Sequence, residues 1–229
     1  MDNELEALKD VPPNADHMVI ERVLSAAGWS RCGQGDWAVV LVSPSGRLAA
    51  RVSPFDPVMP YTADLFRRAA ATALVPVLHA SREFEGGAVY TVMERLHAAE
   101  PHEGKAFFRA LAARTPEVTD LARAIDVVVE RARRELPWFG PLDENPSNVM
   151  RRDGGDLVLT DPFYADGPNL YDSLLADPMR VARAIPEEKR RHMFELPLAE
   201  SGPFDPDARQ RMELGLAAAD ARLGQGRLP

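Results

Sequence analysis

Three side chains that offer hard oxygen ligands follow one another closely in the chain: Asp143, Asn148 and Asp161. The first two lie in a polar stretch, and the third ends a mostly apolar run. Two carboxylates and a carboxamide are ligand types that suit Mg²⁺. Each residue taken singly is more often a turn former, and Asn-Pro-Ser-Asn at 145–148 is itself a turn signal. The three together, at this spacing, favour a magnesium site.

The elements around these residues would present them from a loop and a strand end. Apolar residues recur at steps of three and four over 117–136, which predicts an amphipathic helix. The runs NVMRR and DLVLTD flank the turn DGG at 153–155 and predict a β-hairpin. Asp143 and Asn148 therefore lie between the helix and the hairpin, and Asp161 follows the last strand of the hairpin.

This order, D-x-x-x-x-N, then a short hairpin, then an Asp at a strand end, resembles the catalytic core of the protein-kinase-like superfamily. The text LDENPSNVMRRDGGDLVLTDPF is most similar to small-molecule kinases (aminoglycoside phosphotransferases) and to compact kinase-like proteins of bacteria and phages. The resemblance covers residues 16–175 and implies that Asp143 positions or deprotonates an accepting hydroxyl. It also implies that Asn148 and Asp161 hold Mg²⁺ on the phosphates of ATP.

The rest of the sequence predicts strands in the N-terminal half and helices in the C-terminal half. Strands are predicted over 29–32, 37–42, 47–53, 74–80 and 88–94, and helices over 16–27, 61–73, 105–114, 117–136, 178–194 and 206–223. This pattern is α+β. The resemblance makes it a bilobal protein-kinase-like fold, with an N-lobe over 1–96 and a small helical C-lobe over 97–229. The N-lobe would contain an N-terminal arm and helix, then a five-stranded antiparallel sheet with one helix.

Gly33 and Gly35 belong to a near match of a glycine-rich phosphate loop, GQGDWAVV, in which Ala38 replaces the last glycine. A dinucleotide-binding fold requires a helix after the glycines. Here the chain continues as a strand, which is the kinase arrangement, in which backbone N–H groups cover the phosphates. A plain hairpin turn explains the two glycines equally well.

Arg51 occupies the strand position at which the family has a lysine on the α- and β-phosphates. Arginine keeps the charge but is a wider, planar group, so the change bears on catalysis more than on nucleotide binding. The family's acidic partner for this residue lies on the next helix, where Asp64 is the only acid over 61–73. Glu94 and Leu96 lie where the family joins its lobes and hydrogen-bonds adenine through backbone groups. A simple strand end is the other interpretation of these two residues.

Other features differ from the family or are ambiguous. Pro141 stands near the position where kinases have His or Tyr, and Pro162 follows Asp161 in place of glycine. The chain after Asp161 is too short for a full protein-kinase C-lobe. The doublet at 151–152, two arginines, predicts either a solvated face or a contact with an anionic substrate.

Two functions follow from these observations. The first is an enzyme, an ATP- and Mg²⁺-dependent kinase whose phosphate acceptor is a hydroxyl of an unidentified protein or small molecule. The second is a catalytically degenerate kinase-like protein, a pseudokinase, that acts by binding a partner protein. The retained Asp–Asn–Asp set favours the enzyme, whereas Arg51, Pro141 and the reduced C-lobe favour the binding protein.

Composition argues against several other classes. The chain of 229 residues has 35 acidic and 27 basic residues, a net charge of −8, which argues against nucleic acid and anionic membranes as partners. Cys32 is the single cysteine, so an internal disulfide is impossible. We expect a cytoplasmic protein, because no apolar run approaches a membrane span and the N-terminus lacks a signal-peptide pattern. Abundant Ala, Pro and Arg suggest a bacterial or phage origin.

Overall fold

The structure, a computed structural model, describes residues 2–196 and 206–225. Its helices are α1 Asp2–Glu6, α2 His17–Ala26, α3 Met59–Ala69, α4 Pro101–Ala113, α5 Thr119–Glu135, α6 Gly167–Ala176, α7 Pro178–Ala184 and α8 Pro206–Gln225. Its strands are β1 Ser30–Gln34, β2 Val39–Val42, β3 Leu48–Ser53, β4 Leu78–Glu83, β5 Val89–Glu94, β6 His97–Ala98, β7 Phe139–Leu142, β8 Val149–Arg151, β9 Leu157–Leu159 and β10 Phe163–Ala165. Short 3₁₀ helices cover Ala70–Thr72, Pro146–Asn148, Glu187–Lys189 and Met193–Glu195. None of the helices described has both the length and the apolar character needed to cross a membrane.

The N-terminal part is built on an antiparallel sheet with the strand order β1-β2-β3-β5-β4. Short turns connect β1 to β2, β2 to β3 and β4 to β5, whereas α3 lies between β3 and β4. Alternate residues of β3 are fully buried, as expected for a strand in the middle of a sheet with one face on a core. The predicted antiparallel N-terminal sheet is confirmed.

Helix α2 covers one face of this sheet. The side chain of Asp16 accepts the backbone N–H of Val19 at 2.7 Å and so caps the first turn, as its residue type predicts. Ile20 and Leu24, four positions apart on one face, are fully buried and pack in a cluster with Ala50 of β3. Burying each such side chain contributes about 1.5–3 kcal/mol. The apolar face of α2 therefore holds it on the sheet.

A second, larger apolar cluster joins α3 to the C-terminal helices. Leu65 and Phe66 of α3 belong to the same cluster as Leu121 and Ile125 of α5. Helix α3 packs against α5, although in sequence it lies between two strands of the N-terminal sheet. The start of α3, which adjoins β3, is therefore fixed to the C-terminal helices.

Two small β-structures form the C-terminal side of the fold that faces the sheet. The predicted hairpin is confirmed as β8 and β9, and β6 pairs with β8 on its other side. Strand β7 pairs with β10, so the loop after β7 and the segment after β9 lie side by side. The backbone N–H of Asp143 donates to the carbonyl of Pro162 at 2.9 Å and links these two segments directly.

The segment 185–196, here called the C-terminal strap, returns to the N-terminal sheet and contacts the turn between β4 and β5. Gly86 in this turn donates its N–H to the carbonyl of Glu188 at 2.5 Å, and its own carbonyl accepts the N–H of His192 at 3.2 Å. The strap thus joins the two parts of the chain at a second place, apart from the connection between β5 and β6.

Several predicted elements have different bounds in the structure, and in two of them a proline explains the difference. Strand β4 begins at Leu78 rather than at residue 74, since Pro76 has no N–H to donate to a ladder. The helix predicted over 178–194 ends at Ala184 and is followed by the two 3₁₀ helices of the strap. The residue before a proline disfavours helical backbone, and Pro186 therefore ends this helix early.

Helix α6 was not predicted from the sequence. Asp166 caps it by accepting the N–H of Asn169 at 3.1 Å, and a proline stands in the first turn. Both are ordinary signals of a helix start and could have been recognised in the run DGPN. The division into lobes at residues 96 and 97 stays a prediction.

Candidate functional site

A cleft of about 840 Å³ lies between the N-terminal sheet and the small β-structures of the C-terminal side. It brings together residues that the sequence analysis took from distant parts of the chain. All predicted site residues but one line it: Gly33, Gly35, Arg51, Glu94, Leu96, Asp143 and Asp161. The exception is Asn148.

The turn between β1 and β2 forms one wall of the cleft. The N–H of Gly35 donates to the carbonyl of Ala38 at 2.8 Å and closes the turn. A Cβ atom on Gly35 would meet no other atom within 4 Å, so the glycine lies beside open space. The hydroxyl of Ser53 donates to the carbonyl of Trp37 at 2.5 Å and ties the turn to the end of β3. The turn is thus held in place by protein contacts.

Apolar side chains from β2, β3, β5 and β8 line the cleft near the β5–β6 connection: Val40, Ala49, Met93 and Met150. In this connection the N–H groups of Glu94 and Arg95 donate to backbone carbonyls, whereas that of Leu96 donates to no described residue. The carboxylate of Glu94 accepts the N–H of Val77 at 2.9 Å. An apolar slot with one free backbone donor suits a flat aromatic base.

Arg152 fastens this connection from the C-terminal side. Its guanidinium donates to Glu94 at 2.9 Å and to the carbonyls of Ala73 and Val75 at 2.5 and 2.8 Å. Its neighbour Arg151 donates to the carbonyl of Gly155 and forms an ion pair with a glutamate of α4. Both arginines are therefore engaged within the protein, and neither lines the cleft, so the suggested contact of this doublet with an anionic substrate stays a prediction.

Asp143 is held by its backbone and by one of its carboxylate oxygens. Beyond the bond to Pro162, its Oδ1 accepts the N–H of Asn145 at 3.0 Å. Its Oδ2 accepts no hydrogen bond from the described residues, and the half-buried side chain lines the cleft. One carboxylate oxygen is thus free to accept a proton from a bound hydroxyl.

Asn148 lies behind the cleft wall, at the end of the 3₁₀ helix Pro146–Asn148. Its side-chain amide makes a long contact of 3.5 Å to the carbonyl oxygen of Asp143. Its own carbonyl accepts the N–H and the hydroxyl of Thr160 at 2.8 and 3.0 Å. In this arrangement Asn148 connects the loop of Asp143 to the strand end before Asp161.

Asp161 is exposed and lines the cleft. Its carboxylate accepts no hydrogen bond from any residue that the structure describes. Desolvation raises the pKa of Asp161, the charge of Arg51 opposes this, and the carboxylates of Asp56 and Asp143 add to the increase. The net shift is upward. A cation at this carboxylate would offset the repulsion, so the electrostatics favour cation binding.

The acidic partner of Arg51 is Asp56, which the sequence analysis missed. Arg51 Nη1 donates to Asp56 Oδ2 at 2.5 Å, and the two side chains are 17% and 2% exposed. Asp56 lies between β3 and α3, not on the helix. The helix acid Asp64 instead forms ion pairs with Arg68 and Arg131, each at 3.0 Å, so the expectation of a helical partner was wrong. The Asp-Pro pair just before a predicted helix is the signal that marks Asp56 in the sequence.

The residues present fit a magnesium ion that is bound together with phosphates. Within residues 2–196 and 206–225, no group of three or more His, Cys, Asp or Glu is arranged to hold a metal ion by itself. Asp143 and Asp161, however, line the same cleft. Mg²⁺ in proteins commonly takes one or two carboxylates and completes its ligands with water and substrate phosphates. A nucleotide would therefore have to supply part of the coordination.

Comparison with known proteins finds no matching family model and no matching curated sequence. Among solved structures, the aminoglycoside phosphotransferase APH(4)-Ia is 13% identical, with 89% of this chain and 95% of that chain covered and a TM-score of 0.38. An aminoglycoside phosphotransferase from Streptomyces rimosus is 17% identical, with 90% and 98% covered and a TM-score of 0.32. A pseudokinase is 13% identical, with 84% and 83% covered and a TM-score of 0.29. Likeness at this level carries no argument about activity.

The architecture of the chain itself is protein-kinase-like. An antiparallel five-stranded sheet with one helix after its third strand is joined by a short connection to a helical part. That part carries a long helix, then a polar loop, then a hairpin that ends in an aspartate. The predicted fold class is confirmed. Because one fold hosts many functions, function has to be argued from the cleft.

Proposed function

We propose that this chain is an ATP- and Mg²⁺-dependent phosphotransferase that acts on a hydroxyl of a protein or a small molecule. One observation carries the proposal: a glycine turn, a half-buried arginine, a free backbone donor and two aspartates line a single cleft. Phosphoryl transfer depends mainly on positioning the reactants and on neutralising the charge of the phosphates. The cleft combines groups for both tasks.

The N-terminal wall would bind the nucleotide. The apolar slot and the free N–H of Leu96 suit the adenine base, and the turn at 33–35 would lie over the phosphates. Arg51 uses one guanidinium nitrogen on Asp56, and its remaining N–H groups have no partner among the residues described. These donors are free for phosphate oxygens, for which the guanidinium fork is well suited.

The C-terminal wall would carry the transfer. The free Oδ2 of Asp143 orients the acceptor hydroxyl and takes up its proton. Asp161 would hold Mg²⁺, which when bound supplies charge neutralisation on the phosphates. Asn148 would offer its Oδ1 as a further ligand, since its side chain is engaged only through Nδ2, in the long contact to the Asp143 carbonyl.

Thermal unfolding of the wild type and of Asp161→Ala, with and without Mg²⁺ and ATP, tests the proposal. Ligand at 100 times its dissociation constant stabilises the folded state by about 2.7 kcal/mol. This corresponds to an increase of about 5–10 °C in Tm for a chain of this size. We expect the increase in the wild type and its loss in Asp161→Ala. The matched control is Asp153→Ala, which removes an exposed carboxylate from the turn of the same hairpin and should keep the increase.

A measurement of ADP release then distinguishes phosphoryl transfer from nucleotide binding without turnover. We expect ADP release by the wild type and its loss in Asp143→Ala and Asp161→Ala. Turnover that survives Asp161→Ala contradicts the assigned site. If Mg²⁺ and ATP do not raise the Tm of the wild type, the proposal that the cleft binds ATP is contradicted.

The second candidate function is a degenerate kinase-like protein that acts by binding a partner protein. Asn148 does not line the cleft, and this favours the second candidate. It predicts that Asp143→Ala leaves partner capture unchanged while substitutions on the outer surface abolish capture. The opposite pattern would exclude it.

A further inference from the structure

The C-terminal strap is anchored in the core of the C-terminal helices. Met193 is fully buried and belongs to the apolar cluster that contains α3 and α5, and its carbonyl accepts the hydroxyl of Tyr171, on α6, at 2.5 Å. The guanidinium of Arg190 is buried, donates to the carbonyl of Ile185 at 2.7 Å and forms an ion pair with Asp220 of α8. A buried charge that loses its partner is costly, so this pair fixes the strap to α8.

On its other side the strap holds the turn between β4 and β5. Gly86 exchanges two backbone hydrogen bonds with the strap, and a Cβ atom on it would lie 2.8 Å from Nε2 of His192, so the imidazole lies directly against this backbone. Gly87 has a φ angle of +93°, and a Cβ atom there would lie 2.1 Å from the carbonyl oxygen of Lys189. The ammonium group of Lys189 pairs with Glu83 of β4 at 3.3 Å. The strap and the turn are therefore in a backbone contact that only glycine permits.

A carboxylate of the strap adds a contact to α2. Oε1 of Glu195 lies 2.8 Å from Nδ1 of His192, and its Oε2 lies 3.1 Å from Nδ1 of His17, the first residue of α2. Because the apolar face of α2 packs on the sheet, the strap contacts the N-terminal part at a helix as well as at a turn.

Strand β5 is consequently held on the C-terminal side at both of its ends. The turn bound by the strap comes just before its first residue, Val89, and Arg152 binds the carboxylate of its last residue, Glu94, at 2.9 Å. With both ends of β5 fixed, the sheet as a rigid body can only rotate about this strand. In the strand order β1-β2-β3-β5-β4, such a rotation moves β3 and β4 in opposite directions. Both strands are joined to α3, and the packing of α3 on α5 opposes that rotation.

We propose that the C-terminal strap is a conformational lock, a second connection that fixes the N-terminal sheet on the C-terminal helices. The two walls of the cleft are then in place before a ligand binds, and the turn between β1 and β2, toward the far edge of the sheet from β5, is the part left to adjust. The lock is a property of the fold and does not rest on the proposed phosphotransferase function.

Pulsed electron double resonance between two spin labels tests the lock in the wild-type strap. The labels are placed at Ser25→Cys on α2 and Arg123→Cys on α5, both exposed and outside the cleft, with Cys32→Ser to remove the native thiol. We expect one narrow distance distribution in the ligand-free protein and a change of less than about 2 Å in its mean when Mg²⁺ and ATP are added. A broad or two-peaked distribution, or a larger change, would overturn the proposal.

Amide hydrogen exchange of the unlabelled wild type adds a measurement that needs no substitution. If the strap is docked, the amides of Gly86 and His192 exchange only when the contact opens, so we expect both to be strongly protected. Exchange at the rate of an exposed loop at both amides would also overturn the lock.

Two substitutions in the labelled protein then release the strap. Gly87→Ala forces the turn and the strap apart, with Gly154→Ala as the matched control in a turn where a Cβ atom meets nothing within 4 Å. Glu195→Ala is the milder variant, because it removes only the contacts to the two histidines, and Glu130→Ala, in an exposed pair on α5, is its control. We expect a broader distribution in Gly87→Ala, a smaller broadening in Glu195→Ala and none in the controls. If Gly87→Ala does not fold, Glu195→Ala decides, and a distribution as narrow as that of the wild type contradicts the lock.

The affinity for Mg²⁺ and ATP shows what the lock does for binding. If the released sheet is aligned with the C-terminal wall for about a tenth of the time, the dissociation constant rises about tenfold. We expect this weakening in Gly87→Ala and not in Gly154→Ala, whereas equal affinities beside a broadened distribution would contradict a preformed cleft. A wild type that binds no nucleotide refutes the proposed function, and the distances in the ligand-free protein still decide on the lock.

Discussion

Replacing Gly87 by alanine should break the contact between the β4–β5 turn and the C-terminal strap. A Cβ atom on Gly87 would lie 2.1 Å from the carbonyl oxygen of Lys189, so one of the two backbones must move. The φ angle of Gly87 is +93°, a region that costs residues other than glycine about 1–2 kcal/mol. Loss of the two hydrogen bonds of Gly86 to the strap adds about 0.5–1.5 kcal/mol each.

These contributions sum to about 2–5 kcal/mol of lost stability, which corresponds to a decrease of roughly 4–20 °C in Tm for a chain of this size. The assay is thermal unfolding of Gly87→Ala beside Gly154→Ala. Gly154 lies in the β8–β9 turn, and a Cβ there would meet nothing within 4 Å, so this control should change stability by less than about 1 kcal/mol. Amide hydrogen exchange at Gly86 and His192 should accelerate in Gly87→Ala alone. Equal Tm values in the two variants, or unchanged exchange at both amides, would refute the reasoning.

Three further substitutions test other parts of the structure. Asp161→Asn should raise the Tm of the ligand-free protein at neutral pH, because a carboxylate whose pKa is raised by desolvation opposes folding when ionised. This increase in Tm should disappear as the pH falls through the pKa that Asp161 has in the folded protein. An increase in Tm that does not change with pH would contradict desolvation of the carboxylate as its cause. Arg152→Ala should cost about 3 kcal/mol in chemical denaturation, whereas Arg123→Ala, in an exposed ion pair, should cost less than about 1 kcal/mol. Gly104→Ala should shift the amide signals around Pro146, because its Cβ would lie 2.3 Å from that carbonyl oxygen, and unchanged signals would argue against this packing.

The elements that the sequence predicts well are those whose signals are local. The cap at Asp16 and the apolar period of α5 lie within their own helices, and both elements have nearly the predicted bounds. The helix expected over 178–194 ends at Ala184, because Pro186 disfavours helical backbone at the residue before it. The wrong end predicted for this helix therefore also has a local cause in the sequence.

The site was predicted less completely, because side-chain direction depends on tertiary contacts. Asp143 and Asp161, which the sequence analysis assigned to one site, line the same cleft, but Asn148, from the same motif, does not, and its amide contacts a backbone carbonyl. Asp56 could not be selected from spacing, since many acids precede helices as caps. Asp56 follows the end of β3 by three residues, but its bond to Arg51 depends on the fold of the loop before α3, which the sequence does not show.

The pairing of Arg51 with Asp56 changes how the departures from the kinase pattern are weighed. The resemblance implies a lysine on β3 and its acidic partner on the next helix. Here β3 carries Arg51, and the helix acid Asp64 pairs with Arg68 and Arg131 instead. The structure nevertheless contains a buried pair of opposite charges, with the longer cation on β3 and a short carboxylate from the loop before α3. The two replacements are therefore one coupled change that keeps a fixed positive charge at the cleft. Arg51 by itself is then no argument for a degenerate protein, and the decision between enzyme and binding protein shifts to Asn148 and Asp161, which have to hold the metal.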